Sequence, residues 1–368
     1  MKLQIEKKSL LDLLAKTQNI IEKKNTMTVL LNVLMETEED LFRIYATDLE
    51  VSMKDETSCK TQEKGRLAVH AKNLFDITKE LGDGPIQLIK KENNWLEIKQ
   101  GRYSSRLVGV SPEEYPIFPA HSSDQFVTIE PKQFKKMIDQ TLYCVSTDET
   151  RYYLNGVYFD FQKTDGLKMV ATDGHRLALA QSDKVSFNSV FPHGVIVPRK
   201  GMNEIRKLME ASETPMQIAI EGSQFIVKSG TTLLLIRLIE GKYPNYQQFI
   251  PQQIKHSFQV QKESFLSSLR RISLFANQKS RAVTLSLGNG KMEMSSSNPD
   301  LGDAHEEMEV QYSGSEIKIN FNSKYLQESL VGINSELITF EFSDQLSPTL
   351  IRGMNEKDYL SVVMPMRI

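Results

Sequence analysis

Ala171-Thr172-Asp173-Gly174-His175-Arg176-Leu177-Ala178-Leu179 is the stretch on which the reading of this chain turns. An Asp, a His and an Arg in a turn of small residues have the look of a catalytic site. A shadow of the same turn lies upstream, in Tyr45-Ala46-Thr47-Asp48-Leu49-Glu50-Val51. The two Ala-Thr-Asp triplets begin at 46 and 171, which is 125 residues apart, and a further step of 125 reaches Ser296-Ser297-Asn298, a polar echo. A constant offset predicts three copies of one domain.

The length agrees, because 368 residues exceed what one hydrophobic core usually supports. Charge is nearly balanced, with 45 basic against 47 acidic residues, which leaves room for a basic face if the charges segregate. Cys59 and Cys144 form no CxxC pair, so neither a disulfide framework nor a zinc site is expected, and a reducing compartment is. The start, Met1-Lys2-Leu3-Gln4-Ile5-Glu6, lacks the apolar core of a signal peptide. No uncharged apolar run approaches the ~18 residues of a membrane span. A soluble cytoplasmic protein with no membrane partner and no cofactor is the expectation.

Each copy opens with a short strand and an amphipathic helix: Ile5-Glu6-Lys7-Lys8 before Ser9–Ala15, Ile129-Glu130-Pro131-Lys132 before Gln133–Ile138, and Val260-Gln261-Lys262-Glu263 before Ser264–Arg271. Phe134, Met137, Ile138 and Leu142 stand three and four apart, one buried stripe of a helix. Alternating segments follow, among them Leu30–Met35, Leu41–Tyr45, Leu154–Phe161 and Lys168–Ala171, which read as strands. Second helices are predicted at Ala71–Leu81, Pro198–Leu208 and Ser323–Val331, with Pro198 in a first turn and Ser323 as a cap. Strands resume at 85–89, 216–220 and 337–342, and the copies close on Tyr115-Pro116, Tyr243-Pro244 and Tyr359–Pro365. The class is α+β, with two helices packed on antiparallel sheets in each unit. Linkers near 120–126 and 252–256 give domains at 1–122, 126–252 and 253–368.

Two helices over sheets bury one stripe each and expose the other. The exposed positions are mostly basic: Lys7, Lys8, Lys16, Lys23 and Lys24; Lys72 and Lys79; Lys132, Lys135 and Lys136; Arg199, Lys200, Arg206 and Lys207; Arg270 and Arg271. The last helix has Lys324 alone. Taken singly these are solvated helix surface. Taken together they predict a positive face for a polyanion held through phosphates, independently of sequence.

Ala-Thr-Asp-Gly-His-Arg-Leu at 171–177, Leu154-Asn155-Gly156, Tyr243-Pro244-Asn245-Tyr246 and the terminal Val362-Val363-Met364-Pro365-Met366-Arg367-Ile368 together resemble the bacterial sliding clamp family, the beta subunits of DNA polymerase III. The resemblance runs over essentially the whole length, in order. It implies three clamp domains per chain and a head-to-tail homodimer closed as a ring around double-stranded DNA, with helices lining the hole. Such a ring is a processivity factor that slides and tethers the replicative polymerase alpha subunit. It implies a clamp loader elsewhere, since no GxxxxGK[ST] loop is present here. Other clamp-binding-motif proteins share one docking pocket between the second and third domains. By position it comprises Leu154, Thr172, Gly174, His175, Arg176, Leu177, Pro244, Val362, Val363, Met364, Pro365, Met366 and Arg367. Leu, Val, Met and Pro would form an apolar slot for a partner's Leu or Phe, with Arg176, His175 and the terminal carboxylate orienting it. Read without the resemblance, the same apolar residues are domain core. Gln247 and Gln248 replace basic residues the family often carries, and Asp148 stands where it has a polar residue. The resemblance also places DNA contacts at Lys24 and Lys72, and the ring junction at Leu107 against Leu274 and Phe275.

Enzyme readings compete with this one. Asp173 and His175 would serve as an acid–base pair, or with Asp48 as metal ligands, but no nucleophile motif, metal spacing or carboxylate pair supports either. Asx side chains in turns usually bond their own backbone. The chain is therefore expected to be non-catalytic, grouped with nucleotidyltransferases only through its polymerase. A protein-binding three-repeat scaffold and a metal-dependent nuclease or nucleotidyltransferase are the alternatives.

Overall fold

The computed structural model describes residues 1–21, 27–122, 125–161, 166–183, 194–211 and 215–367. Among these lie six α-helices in three pairs: α1 (Lys7–Thr17) and α2 (Ala71–Glu80), α3 (Pro131–Thr141) and α4 (Arg199–Ala211), α5 (Lys262–Ser273) and α6 (Ser323–Val331). They start and stop close to the ranges read from the periodicity. Each buries one stripe, such as Leu10, Leu13, Leu14 and Thr17 of α1 or Phe265, Leu266, Leu269 and Ile272 of α5.

The chain packs as two bodies. The first comprises Met1–Pro131 with Asn203–Leu238, and the second Lys132–Met202 with Ile239–Ile368. The first is built on one continuous antiparallel sheet of thirteen strands, running from the edge at Val127–Ile129 to the edge at Lys60–Glu63. Helices α1 and α2 pack against each other there. A buried carboxylate ties α1 to the sheet. Asp55, fully enclosed, accepts from Lys16 Nζ at 2.6 Å, Thr231 Oγ1 at 2.7 Å and Thr232 Oγ1 at 2.9 Å. Lys16 is thus committed to structure and leaves the set of free surface cations. In the second body an eight-stranded and a four-stranded sheet, both antiparallel, carry α5 packed on α6.

The repeat is visible in the hydrogen bonds of the opening turn. Asp48 Oδ1 accepts the N–H of Glu50 (3.0 Å) and Val51 (2.7 Å). Asp173 Oδ1 accepts those of His175 (2.9 Å) and Arg176 (3.1 Å). Asn298 Oδ1 accepts that of Asp300 (3.0 Å), while its carbonyl takes Leu301 N–H. Each turn closes the same hairpin: Leu41–Thr47 with Val51–Ser58, Leu167–Thr172 with Arg176–Ser182, Lys291–Asn298 with Gly302–Glu309. An Asx side chain that mimics a backbone turn explains why this triplet recurs.

The outgoing hairpin strand then pairs with the last strand of the next copy's meander. Val51–Ser58 pairs with Thr232–Arg237, and Arg176–Ser182 with Tyr359–Val363, Leu177 opposite Val362. The strand Gly302–Glu309 lies at a sheet edge. The last meander strand of the first copy, Tyr103–Val110, pairs fully with Trp95–Gln100 but meets the strand Gly65–His70 only at Gly109 and Val110. Among the described residues, one outgoing strand and one meander strand therefore keep open edges.

Several local expectations shift. Pro198 ends the strand Val195–Pro198, opposite Gly156, and α4 starts after it, with Arg199 N–H on Asn155 O. A strand end tolerates the missing N–H as well as a first helical turn does. The α6 cap is Asn322, whose side chain accepts from Lys324 and Tyr325 N–H, and Ser323 is the first helical residue. Thr28–Leu31 and Glu149–Leu154 are short 3-10 turns, so those strands begin at Asn32 and Gly156.

Candidate functional site

The hairpin Leu167–Ser182 forms one wall of a cleft of about 320 Å³ in the second body. Its floor is core. Leu154, Val170, Leu177, Leu179, Ile196, Tyr243, Tyr246, Leu350 and Val362 make one buried cluster. Tyr243 stacks on Tyr158 at 4.7 Å between ring centroids, and Tyr246 Oη donates to Asp160 at 2.7 Å. The Tyr-Pro-Asn-Tyr stretch is thus anchored by its two tyrosines, which leaves Pro244 at the rim. Of the residues anticipated for a pocket, Leu154, Thr172, Gly174, Arg176, Leu177, Pro244, Val362 and Met364 line the cleft.

The others stand elsewhere. Val363 is fully buried. The exposed ring of His175 stacks toward Tyr325, and its carbonyl accepts Met364 N–H at 2.9 Å. Pro365, Met366 and Arg367 lead away, with Met366 N–H on Asn320 O. The terminal carboxylate belongs to Ile368, outside the described residues. Three lining residues were not anticipated: Arg151, Tyr153 and Phe249. The only sequence signal for them is their nearness to Leu154 and Pro244. Arg151 is held by Asp148 at 2.9 Å, and a Cβ on Gly174 would stand 2.6 Å from its guanidinium. At φ +89° the backbone favours glycine, and a side chain there would displace the Arg151 guanidinium. The acidic Asp148 is accounted for by this pair.

Arg176 is not free to orient a ligand as anticipated. It is 8% exposed. Its Nε donates to Asp173 Oδ2 at 3.0 Å, one terminal nitrogen to Glu328, the other to the Tyr143 carbonyl at 2.6 Å. The rings of Tyr325 and Tyr143 lie 4.4 and 5.2 Å from its centre. Burial works against its charge, yet the flanking carboxylates of Glu328 and Asp173 help hold its pKa above the usual value. Asp173 is fully engaged by its own turn and by Arg176, so it has no role as a general base. Asp48 is likewise engaged by its turn. Burial raises the Cys144 thiol, the reverse of what a nucleophile needs. Among the described residues no three His, Cys, Asp or Glu stand close enough to hold a metal ion.

The basic helix positions are more compensated than composition implies. Lys72 pairs with Asp76 at 2.8 Å, Lys136 with Asp358 at 2.8 Å, and Arg206 with Glu210 at 3.6 Å. Lys79, Lys132 and Arg199 are exposed, and Lys200 is half-buried. Lys24, with Lys23, lies outside the described residues. At the anticipated ring junction, Leu274 is 73% exposed at the end of α5, while Phe275 and Leu107 are half-buried.

The chain matches family models for the N-terminal, central and C-terminal domains of the DNA polymerase III beta subunit over residues 1–119, 128–245 and 247–367. It belongs to the DNA polymerase III beta subunit family. The beta sliding clamp of Caulobacter vibrioides is 32% identical over the full length of both chains, and that of Pseudomonas aeruginosa 30% over 99% of each. Among solved structures, the Bartonella birtlesii sliding clamp bound to griselimycin gives a TM-score of 0.95 at 30% identity, covering all of both chains. The Pseudomonas aeruginosa clamp gives 0.93. Three clamp domains of helices on antiparallel sheets are therefore the architecture, and a DNA sliding clamp, a non-catalytic processivity factor of replication, is the function. The family binds DNA and polymerase-type partners.

Proposed function

We propose that two copies of this chain close head to tail into a ring around double-stranded DNA. The observation that carries this is the pair of open edges. Within the chain, an outgoing hairpin strand twice meets the last meander strand of the next copy. Gly302–Glu309 of one molecule and Tyr103–Val110 of another would make the third such pair, and two such junctions would close the assembly. Their charges complement: Asp303 and Glu309 on one, Arg106 and the adjoining Arg102 on the other. Leu107, Leu274 and Phe275 would pack at this junction. The division is 1–122, 126–252 and 253–368, and the protein works in the cytoplasm.

In this reading Lys72, Lys79, Lys132, Lys136, Arg199, Lys200 and Arg206 face the phosphates; Lys24 lies outside the described residues. A grip through charge and water is nearly equal at every register, so the ring slides. The cleft receives a Leu- or Phe-bearing segment of the replicative polymerase alpha subunit, the clamp loader and other clamp-binding-motif proteins. Leu154, Thr172, Gly174, Leu177, Pro244, Val362 and Met364 contact it directly, with Arg151, Tyr153 and Phe249 extending the slot. His175, Arg176, Val363, Pro365, Met366 and Arg367 shape the wall and the tail. After loading, the protein is expected to stay on circular duplex DNA and to leave once the circle is cut. Equal retention on linear and circular DNA would reject the ring.

A further inference from the structure

Arg176 lines the cleft, yet its donors point into the protein. It joins three segments: its own turn through Asp173, the Tyr143 carbonyl, and helix α6 through Glu328. Its carbonyl accepts Thr172 Oγ1 at 2.6 Å, and Thr172 Oγ1 in turn accepts Gly174 N–H at 3.1 Å. Thr172, Gly174 and Arg176 thus form one wall whose geometry follows the guanidinium. Glu328 does not line the cleft. One of its oxygens holds Arg176; the other faces Lys324 Nζ, one turn earlier on α6, at 3.6 Å. Without the Glu328 charge, the buried guanidinium keeps only the Asp173 carboxylate.

We propose that Glu328 is a positioning residue for the cleft, linking it to the charge on α6, because Lys324 draws on the same carboxylate. This rests on the cleft being a peptide site. When a polyanion takes the half-exposed Lys324 ammonium, the Glu328 charge falls wholly to Arg176 and the wall stiffens. By reciprocity, a peptide in the cleft then favours the polyanion.

The test uses the full-length protein, a fluorescein-labelled peptide ending in Leu-Phe, and a short DNA duplex, with affinity read by fluorescence polarisation. Glu328→Gln, which keeps shape and removes charge, is expected to weaken the peptide about fivefold or more. Duplex is expected to tighten peptide binding to the unaltered protein about two- to fourfold, the scale of an exposed ion pair. Lys324→Gln should bind peptide without duplex as tightly as the unaltered protein does with it, and should ignore duplex. Unchanged peptide affinity in Glu328→Gln, or a full duplex response in Lys324→Gln, overturns the link while leaving the peptide site standing. No peptide binding by the unaltered protein overturns the peptide site itself.

Discussion

Leu274→Ala probes the ring junction with little risk to the fold. The side chain is 73% exposed and follows the last turn of α5, so the isolated chain leaves most of it in water. Full burial of a leucine is worth about 1.5–3 kcal/mol. Scaled by the exposed fraction, the side chain has about 1–2 kcal/mol to gain at a junction. A head-to-tail ring of two has two identical junctions, and the substitution acts at both, so the dimer should weaken by about 2–4 kcal/mol. That corresponds to a dissociation constant raised roughly 30- to 700-fold. Fluorescence-detected sedimentation across a nanomolar dilution series measures it. The thermal midpoint of the variant is expected to stay put, because an exposed substitution rarely moves stability by more than about 0.5 kcal/mol. A dissociation constant within twofold of the original, at an unchanged midpoint, would refute the placement of Leu274 in the junction.

Ending the chain after Val363 removes Met364 from the cleft and two backbone hydrogen bonds, Met364 to His175 and Met366 to Asn320. Peptide affinity should drop about tenfold or more while the dimer persists in sedimentation; undiminished affinity would show that the tail is not part of the site. Gly174→Ala places a Cβ 2.6 Å from the Arg151 guanidinium at φ +89°. Polarisation should show weaker peptide binding, and calorimetry a loss of about 1–2 kcal/mol, since the left-handed conformation costs about that for a non-glycine residue. Lys79→Gln with Lys132→Gln removes two exposed cations per chain. The log–log salt slope of duplex binding should become shallower by about 0.9 for each phosphate no longer neutralised, and an unaltered slope would take both side chains off the DNA face.

The turn at 171–177 was legible because its chemistry is local. A Thr and an Asx side chain satisfy the backbone two and three residues ahead, so a short triplet carries a whole hairpin corner. Helix stripes were legible for the same reason of short range. What escaped depends on distant partners. Arg176 reads as a ligand-facing cation until Glu328, 152 residues on, claims its guanidinium. Lys16 reads as surface charge until the buried Asp55 carboxylate claims its ammonium. Arg151 lines the cleft with its guanidinium close against Gly174, a contact that sequence distance conceals. At α6 the range agrees and only the cap moves, from Ser323 to Asn322, where two capping residues stand side by side.

The three turns explain how one scaffold comes to carry this cleft beside its second turn. All keep the Asx hydrogen bond, so the hairpin survives whatever the neighbouring positions carry. In the first copy Leu49 holds a positive φ of 76° and Val51 is buried beneath it. In the second, Gly174 stands where Leu49 does and Arg176 where Val51 does. The glycine clears space that Arg151 and the cleft occupy, and the arginine, too polar for the core, is neutralised by two carboxylates and two aromatic rings. In the third, Leu301 takes the corresponding place and is exposed. Folding asks only for the Asx side chain; the cleft asks for what flanks it. A corner with the look of a catalytic site is therefore a structural device, and in the second copy its variable positions form one wall of the cleft.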